Sequence, residues 1–323
     1  MDQLPYQVSV EEYRRFRRDG YLVVRGLVSD SEIEEMQRHI DDLIAGRVHV
    51  DGLEEPKPGE TLREVERRLL RIHMMHDQIP LWEQWMLHPR VLDVVQALIG
   101  PDVLAMQTMM FIKGPGSDGQ GFHQDSYYIP TFPDSLLGAW IAVDPADRQN
   151  GCLWMTQGSQ VEPIYPPANG YGYGDWGLKD IPEVSGVGGH SNSDEDPDNG
   201  LRSMTLGYEE VPVELEPGDA AFFGGHVLHR SLSNKTSDRS RRAFVNHYCN
   251  ARSFTSWGGG NQNHILARGN THLEFAKPKF GTPCAALDPQ PSLSDRGAVP
   301  TMMMATPEGD MAPQEPALAD HDH

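Results

Sequence analysis

The chain has 323 residues, with 47 acidic side chains against 27 basic ones and a formal net charge of -20. A charge of this sign argues against nucleic acid and anionic membranes as partners. No apolar run approaches the length of a membrane span, and the first residues lack the apolar run of a signal peptide. Cys152, Cys249 and Cys284 are widely spaced and odd in number, so we expect a cytoplasmic protein without a disulfide framework.

The first hundred residues have a mainly helical pattern. Ser9 and Ser29 each precede a glutamate by three residues, which is the form of a capping box. Tyr21–Val24 is rich in β-forming residues and predicts a short strand between two helices. Further helices are predicted over residues 62–75 and 89–98, and a polar loop over residues 46–62. Residues 1–102 are therefore expected to be mostly helical.

From Val103 onward, short β-rich runs alternate with turns rich in Gly, Pro and Asp. Several short strands after a helical region are typical of a β-sandwich or barrel with flanking helices. We expect this β core to cover residues 103–255. The predicted strands are Val103–Lys113, Gly138–Val143, Cys152–Met155, Val211–Leu215, Ala220–Phe223, Val227–Arg230 and Arg242–Cys249.

Two segments do not fit the strand pattern. Residues 162–204 are dense in Gly, Pro, Asp and Tyr, and a connection of this length predicts either a lid over a functional site or a disordered segment. Its aromatic residues Tyr171, Tyr173 and Trp176 favour the lid. Residues 284–323 are rich in Pro, Ala, Met and acidic side chains without periodicity, which predicts a disordered tail. The sequence therefore predicts a single domain over residues 1–283.

The stretch from Gly121 to Ser126 carries the first candidate site. On a β-strand, His123 and Asp125 would point to the same face and could reach one metal ion together. His229, about a hundred residues later, would complete a set of two histidines and one carboxylate, which suits non-heme Fe(II). His226 competes with His229, but the two are three residues apart and face opposite sides of a strand.

The residues after His229 add a second feature. Ser231, Asn234 and Arg241 follow it, and an arginine can bind the distal carboxylate of 2-oxoglutarate through two parallel hydrogen bonds. With this feature the sequence resembles the phytanoyl-CoA dioxygenase family of Fe(II)/2-oxoglutarate oxygenases. The resemblance runs from about residue 8 to residue 251, through Phe16–Val24, Phe111–Lys113, Phe122–Ser126, Ala139–Ala142, Asn150–Leu153 and His229–Arg241.

The resemblance implies a mainly β fold with flanking helices, built on a double-stranded β-helix (a jelly-roll, cupin-like core). It implies Fe(II) bound by His123, Asp125 and His229, with 2-oxoglutarate and O2 as co-substrates. The implied contacts to 2-oxoglutarate are Arg241, Ser231, Lys113 and Gln107. Arg242 stays open as a substitute for Arg241, because the interval from His229 is one residue longer than usual.

The reaction implied by the resemblance is hydroxylation of an unactivated C–H bond of a small metabolite, with release of succinate and CO2. The presence of Asp125 favours this outcome, and desaturation, epimerisation and ring formation stay open. Candidate substrate contacts are Tyr127, Tyr128, Trp140, Arg230 and Trp176, and Trp140 is also a candidate for the core. Two alternatives stay open: a cupin-type metal enzyme that does not use 2-oxoglutarate, and a catalytically silent binding protein on the same fold. Neither the oligomeric state nor the substrate follows from the sequence.

Overall fold

The computed structural model describes residues 4–165 and 199–271. Within them, antiparallel strands form two sheets, and helices flank the larger one. The predicted fold class is confirmed: the protein is mainly β, with a double-stranded β-helix core and flanking helices. The strands are β1 (Tyr21–Val24), β2 (Arg71–His73), β3 (Val103–Lys113), β4 (Gln120–His123), β5 (Leu137–Ala142), β6 (Leu153–Gln157), β7 (Glu209–Val213), β8 (Ala220–Gly224), β9 (His229–Ser231), β10 (Arg241–Asn250) and β11 (Ile265–Arg268).

The larger sheet has the strand order β1-β8-β5-β10-β3-β11, and β2 also pairs with β3. The smaller sheet has the order β4-β9-β6-β7. Residues from both sheets line one cavity, so the site lies between them. The helices are α1 (Val10–Asp19), α2 (Asp30–Ile44), α3 (Leu62–Arg68), α4 (Pro80–Met86), α5 (Pro89–Ile99), α6 (Asp125–Tyr128) and α7 (Leu201–Met204).

Local sequence signals explain where the first helices begin and end. The Ser9 hydroxyl accepts the backbone N–H of Glu12, as the predicted capping box requires. Gly20 ends α1 with φ 84°, a left-handed conformation that glycine adopts without a steric penalty. The second predicted capping box also forms, since the backbone N–H of Ser29 donates to the Glu32 carboxylate at 3.0 Å.

Alternation along β10 separates the core from the cavity. Phe244 and Tyr248 face the helices, where the edges of Trp82 and Trp85 pack on Phe244 with ring centroids 5.4 and 5.7 Å away. The Tyr248 hydroxyl donates to the carbonyl of Met86 at 2.7 Å, which links the sheet to the end of α4. Val245 and His247, which alternate with them on β10, therefore face the opposite side, toward the cavity.

Several predicted elements differ from the structure. The helix predicted over residues 62–75 ends at Arg68, and Arg71–His73 form β2 instead. The reason is tertiary, because these three residues pair with Met109–Phe111 along the edge of the long strand β3. Asp125 does not share a strand with His123: β4 ends at His123, and Asp125 is the first residue of α6.

The predicted tail and most of the predicted lid lie outside the described residues, which exclude residues 166–198 and 272–323. Of the lid, only the two ends can be described. Ile164 and Tyr165 at one end, and Leu201 at the other, are buried in one cluster with Phe122. In the described parts of the chain, no helix combines the length and apolar character needed to cross a membrane.

Candidate active site

Three chain segments bring His123, Asp125 and His229 together. His123 is the last residue of β4, His229 is the first of β9, and the two are register partners in the smaller sheet. Asp125 reaches the same point from the first turn of α6. One ligand atom from each of these residues lies within 4.8 Å of the others, and all three side chains are largely buried.

The hydrogen bonds of the two histidines direct the same nitrogen of each toward Asp125. His123 Nδ1 donates to the carbonyl of Gly121, and His229 Nδ1 donates to that of Val227, each at 2.9 Å. The lone pair of each neutral imidazole is then on Nε2. These two nitrogens lie 3.6 and 3.7 Å from Asp125 Oδ1.

The second carboxylate oxygen of Asp125 has a separate partner. His247, on β10, donates from Nε2 to Asp125 Oδ2 at 3.1 Å. Burial acts to raise the pKa of Asp125, but the neighbouring imidazoles of His229, His247 and His123 outweigh it and lower the pKa. Asp125 is therefore ionised, with Oδ1 facing the two histidines and Oδ2 held by His247.

Arg241 is a buried cation in the wall of the same cavity. It is 2% exposed, and its guanidinium lies 5.3 Å from the centroid of the Trp140 ring. Its Nε and Nη1 have no hydrogen-bond partner among the described residues. Burial lowers the pKa of Arg241 to about 10. This guanidinium can bind an anion that enters the cavity.

The neighbouring arginine is oriented differently. Arg242 points to the other face of β10 and pairs with Asp144 at 2.7 Å and with Asp41 at 2.6 Å. Of the two arginines, the structure brings Arg241 to the cavity. Likewise His229 joins His123 and Asp125, whereas His226 Nε2 lies 3.3 Å from Asp134 Oδ2.

The other residues expected to contact 2-oxoglutarate divide into two places. Lys113 is the register partner of Arg241 and donates from Nζ to the Ser231 hydroxyl at 2.9 Å, so these two lie beside Arg241. Gln107 pairs with His247, and this pair lies six residues from the Lys113 and Arg241 pair on each strand. At about 3.3 Å per residue that is roughly 20 Å of strand, so Gln107 lies far from Lys113.

The cavity that contains these groups has a volume of about 460 Å³. Among the expected substrate contacts, Tyr128, Trp140 and Arg230 line it, and Arg230 also pairs with Glu210 at 2.6 Å. Tyr127 packs instead in the cluster with Phe122, and Trp176 lies outside the described residues. The apolar part of the wall comprises Met109, Phe111, Ile129, Leu153, Phe223 and Val245.

Sequence reasoning missed several residues of the wall: Arg71, His73, Gln120, His247 and Trp257. His247 was not among the candidate site residues drawn from the sequence. The available signal was its even spacing from Arg241, which directly precedes the predicted strand Arg242–Cys249, since residues i and i+6 of one strand share a face. Arg71 and His73 gave no such signal, because their segment has a helical pattern.

The donor set fits the implied cofactors. Two neutral imidazole nitrogens and one carboxylate oxygen are the ligands that non-heme Fe(II) takes in oxygenases. The Gln120 amide nitrogen lies 3.1 Å from His123 Nε2, in agreement with a lone pair on this ring nitrogen. Arg241 offers buried donors to a carboxylate such as the distal one of 2-oxoglutarate.

Comparison with known proteins agrees with this description. The family model of phytanoyl-CoA dioxygenase (PhyH) matches residues 16–243. The peroxisomal phytanoyl-CoA dioxygenase of Rattus norvegicus is 27% identical over 286 residues, covering 85% of this chain and 77% of its own. The phytanoyl-CoA dioxygenase domain-containing protein 1 of Danio rerio is 26% identical, covering 78% of this chain and 93% of its own.

Solved structures share the fold at lower identity. EctD from S. alaskensis, with 2-oxoglutarate and 5-hydroxyectoine, has a TM-score of 0.59 at 18% identity, covering 85% of this chain and 88% of its own. The epimerase SnoN, in complex with Fe3+, alpha ketoglutarate and nogalamycin RO, has a TM-score of 0.55 at 20% identity, covering 76% of this chain and 84% of its own.

The fold and the site together define a class, the non-heme iron and 2-oxoglutarate-dependent oxygenases built on a double-stranded β-helix. Within this class, the chain belongs to the phytanoyl-CoA dioxygenase (PhyH) family, whose model matches more than two thirds of its length.

Proposed function

We propose that this oxygenase hydroxylates an unactivated C–H bond of a small metabolite, with succinate and CO2 as the co-products. One observation carries the proposal: a single cavity contains both the His123, Asp125 and His229 cluster and the buried cation of Arg241. The first fits Fe(II), and the second fits the distal carboxylate of 2-oxoglutarate.

In this proposal His123, Asp125 and His229 hold the iron. Arg241 binds the distal carboxylate of 2-oxoglutarate, and Ser231 and Lys113, which hydrogen-bond to each other beside it, complete that end of the site. We assign Gln107 to the substrate side instead, because its register places it beside His247 and away from Lys113. Iron and 2-oxoglutarate, when bound with O2, supply the oxidising power that breaks the C–H bond.

The remaining residues orient the reactants and exclude water. His247 restrains Asp125 Oδ2 and leaves Oδ1 directed toward the two histidines. The apolar side chains of Met109, Phe223 and Val245 line the same space. A dry wall of this kind strengthens the electrostatic interactions at the bound metal and limits side reactions with water.

The two alternative functions lack comparable support. A cupin-type enzyme without 2-oxoglutarate would leave Arg241 buried in the cavity wall without an anion, at an energetic cost. A silent binding protein would have no need for two imidazoles and a carboxylate that converge on one point.

The kind of substrate and the cellular location of the protein are also proposals. SnoN and EctD are named in complex with nogalamycin RO and with 5-hydroxyectoine, and a small-molecule substrate fits a cavity of about 460 Å³. The substrate-side residues that we propose are Tyr128, Trp140 and Arg230. A single catalytic domain over residues 1–283 and a cytoplasmic location stay predictions, and some relatives are named as peroxisomal.

The test is turnover of 2-oxoglutarate by the Fe(II)-loaded protein. Release of CO2 from the labelled 1-carboxylate is measured against a library of small metabolites, with Asp125→Ala as the matched inactive variant. We expect one compound class to raise CO2 release well above the substrate-free rate and to gain one oxygen atom by mass spectrometry. Oxidation of a compound at equal rates with and without 2-oxoglutarate would contradict the proposal.

A further inference from the structure

Two buried hydrogen-bond acceptors lie on neighbouring strands in the cavity wall. Gln107 on β3 and His247 on β10 are register partners, and both line the cavity. Gln107 is 5% exposed and His247 is 4% exposed. Neither residue has been assigned to the metal or to 2-oxoglutarate in the proposed site.

The contacts of Gln107 leave its carbonyl oxygen available. Its amide nitrogen lies 3.0 Å from His73 Nδ1 and donates to it. Its Oε1 is buried and has no hydrogen-bond partner among the described residues.

The contacts of His247 leave one ring nitrogen available. Asp125 is an ionised carboxylate that can only accept, so His247 Nε2 carries the proton of their 3.1 Å hydrogen bond. In the neutral imidazole, Nδ1 then carries the lone pair. This nitrogen is also buried and without a hydrogen-bond partner among the described residues.

Two acceptors buried without a donor are unfavourable, and most buried polar atoms in proteins have a partner. The partner here must enter from the cavity, because both residues line it. An ammonium group is disfavoured as the donor, since Arg71, Arg230 and Arg241 line the same cavity and the metal adds further positive charge. Neutral donors fit both acceptors, and a hydroxyl group is the simplest of them.

We propose that Gln107 Oε1 and His247 Nδ1 form a subsite for hydroxyl groups of the substrate, one donated to each acceptor. The substrate class is therefore a polyhydroxylated compound, such as a diol or a sugar-like alcohol. The inference rests on the proposed function, because it places the subsite beside Asp125 and the metal that Asp125 would hold. Through His247, a bound hydroxyl is connected to the carboxylate that faces the metal.

The test uses cyclohexane-1,2-diol as the donor probe and cyclohexanone as a ring of similar size without a donor. Each is titrated into the Mn(II)-loaded protein with 2-oxoglutarate, and binding is followed by paramagnetic relaxation of the probe protons. We expect the diol to bind at least about tenfold more tightly than the ketone, because a site with buried acceptors discriminates against an analogue that cannot donate. Equal binding of the two probes, or binding by neither, would overturn the proposal.

Variants test whether Gln107 and His247 cause the preference for the diol over the ketone. Gln107→Leu and His247→Phe each remove one acceptor, and each is expected to lower the preference for the diol severalfold when Mn(II) is present at a concentration that saturates the variant. Met109→Leu is the matched control, since Met109 lies on the same strand and lines the same cavity without a strong hydrogen-bonding group. An unchanged preference in both acceptor variants, with folding verified by thermal denaturation, would also overturn the proposal.

The same samples separate this inference from the proposed function. Binding of 2-oxoglutarate to the metal-loaded protein is measured by calorimetry before the probe is added. Absence of the diol preference in the wild type, with normal 2-oxoglutarate binding, contradicts the subsite alone. Failure of 2-oxoglutarate to bind contradicts the proposed function.

Discussion

The guanidinium of Arg241 lies buried over Trp140, and its Nε and Nη1 have no hydrogen-bond partner among the described residues. We predict that Arg241→Gln lowers the affinity for 2-oxoglutarate about 100-fold, because a buried charge-assisted pair is worth about 2–5 kcal/mol on truncation. Calorimetric titration of the Mn(II)-loaded protein measures this. An unchanged dissociation constant would mean that another group binds the distal carboxylate.

Arg242 supplies the matched control. It is the next residue on the same strand, but it pairs with Asp144 and Asp41 outside the cavity. Arg242→Gln is expected to lower the free energy of unfolding by about 2 kcal/mol, since hydrogen bonds to charged groups contribute about 1.5–3 kcal/mol. Its affinity for 2-oxoglutarate should equal that of the wild type.

His247 restrains Asp125 through the 3.1 Å hydrogen bond to Oδ2. We predict that His247→Phe weakens metal binding about 10–100-fold, because groups that orient a ligand typically contribute that much to affinity. Anaerobic Fe(II) titration measures the change. Tyr248→Phe is the control, since Tyr248 faces the helices, and it should alter stability but not metal affinity. Equal Fe(II) affinity in His247→Phe and the wild type would contradict this role.

At the residue scale, the sequence predicted the identity of the candidate ligands better than the direction in which each side chain points. His226 against His229, and Arg241 against Arg242, stayed open because a strand pattern gives the alternation but not which face is buried. The structure decides each pair through contacts distant in sequence, such as Arg242 with Asp41. Gln107 and Lys113 were both expected to contact 2-oxoglutarate, and the strand register places them six residues apart on β3.

At the scale of elements, α4 packs on one face of β10, and the opposite face of this strand lines the cavity. Trp82 and Trp85 both contact Phe244 edge-on, and Phe244 is fully buried. We predict that Phe244→Ala lowers the free energy of unfolding by about 3–5 kcal/mol, through lost burial and the cavity left behind. Urea denaturation measures it. Leu62→Ala, on the exposed side of α3, should change stability by less than about 0.5 kcal/mol. Similar losses in both variants would contradict this account of the core.

The elements that could be predicted are those whose local pattern and tertiary environment agree. β3 was predicted at its observed bounds, because Val103–Lys113 is a long run of apolar and β-forming residues. β2 was missed because its three residues form a strand only by pairing with β3. The short helix α6 was also missed, because a helix of only four residues, Asp125–Tyr128, gives little helical signal of its own.

At the scale of the whole molecule, metal binding should stabilise the folded protein, because the three ligands converge only after the sheets form. At a free Mn(II) concentration 100 times the dissociation constant, the expected gain is about 2.7 kcal/mol. Denaturation with and without Mn(II) measures it, and EDTA should reverse it. Asp125→Ala should show no comparable gain, and an equal gain in this variant would place the metal elsewhere.

The central claim is that one cavity binds iron through His123, Asp125 and His229 and 2-oxoglutarate through Arg241. Its most direct test is anaerobic titration of the Fe(II)-loaded protein with 2-oxoglutarate, followed by the visible charge-transfer absorption of the chelated complex. We predict that the absorption appears and saturates in the wild type, is absent in Asp125→Ala, and needs far more 2-oxoglutarate in Arg241→Gln. A wild-type protein that binds Fe(II) but develops no such absorption would contradict the account.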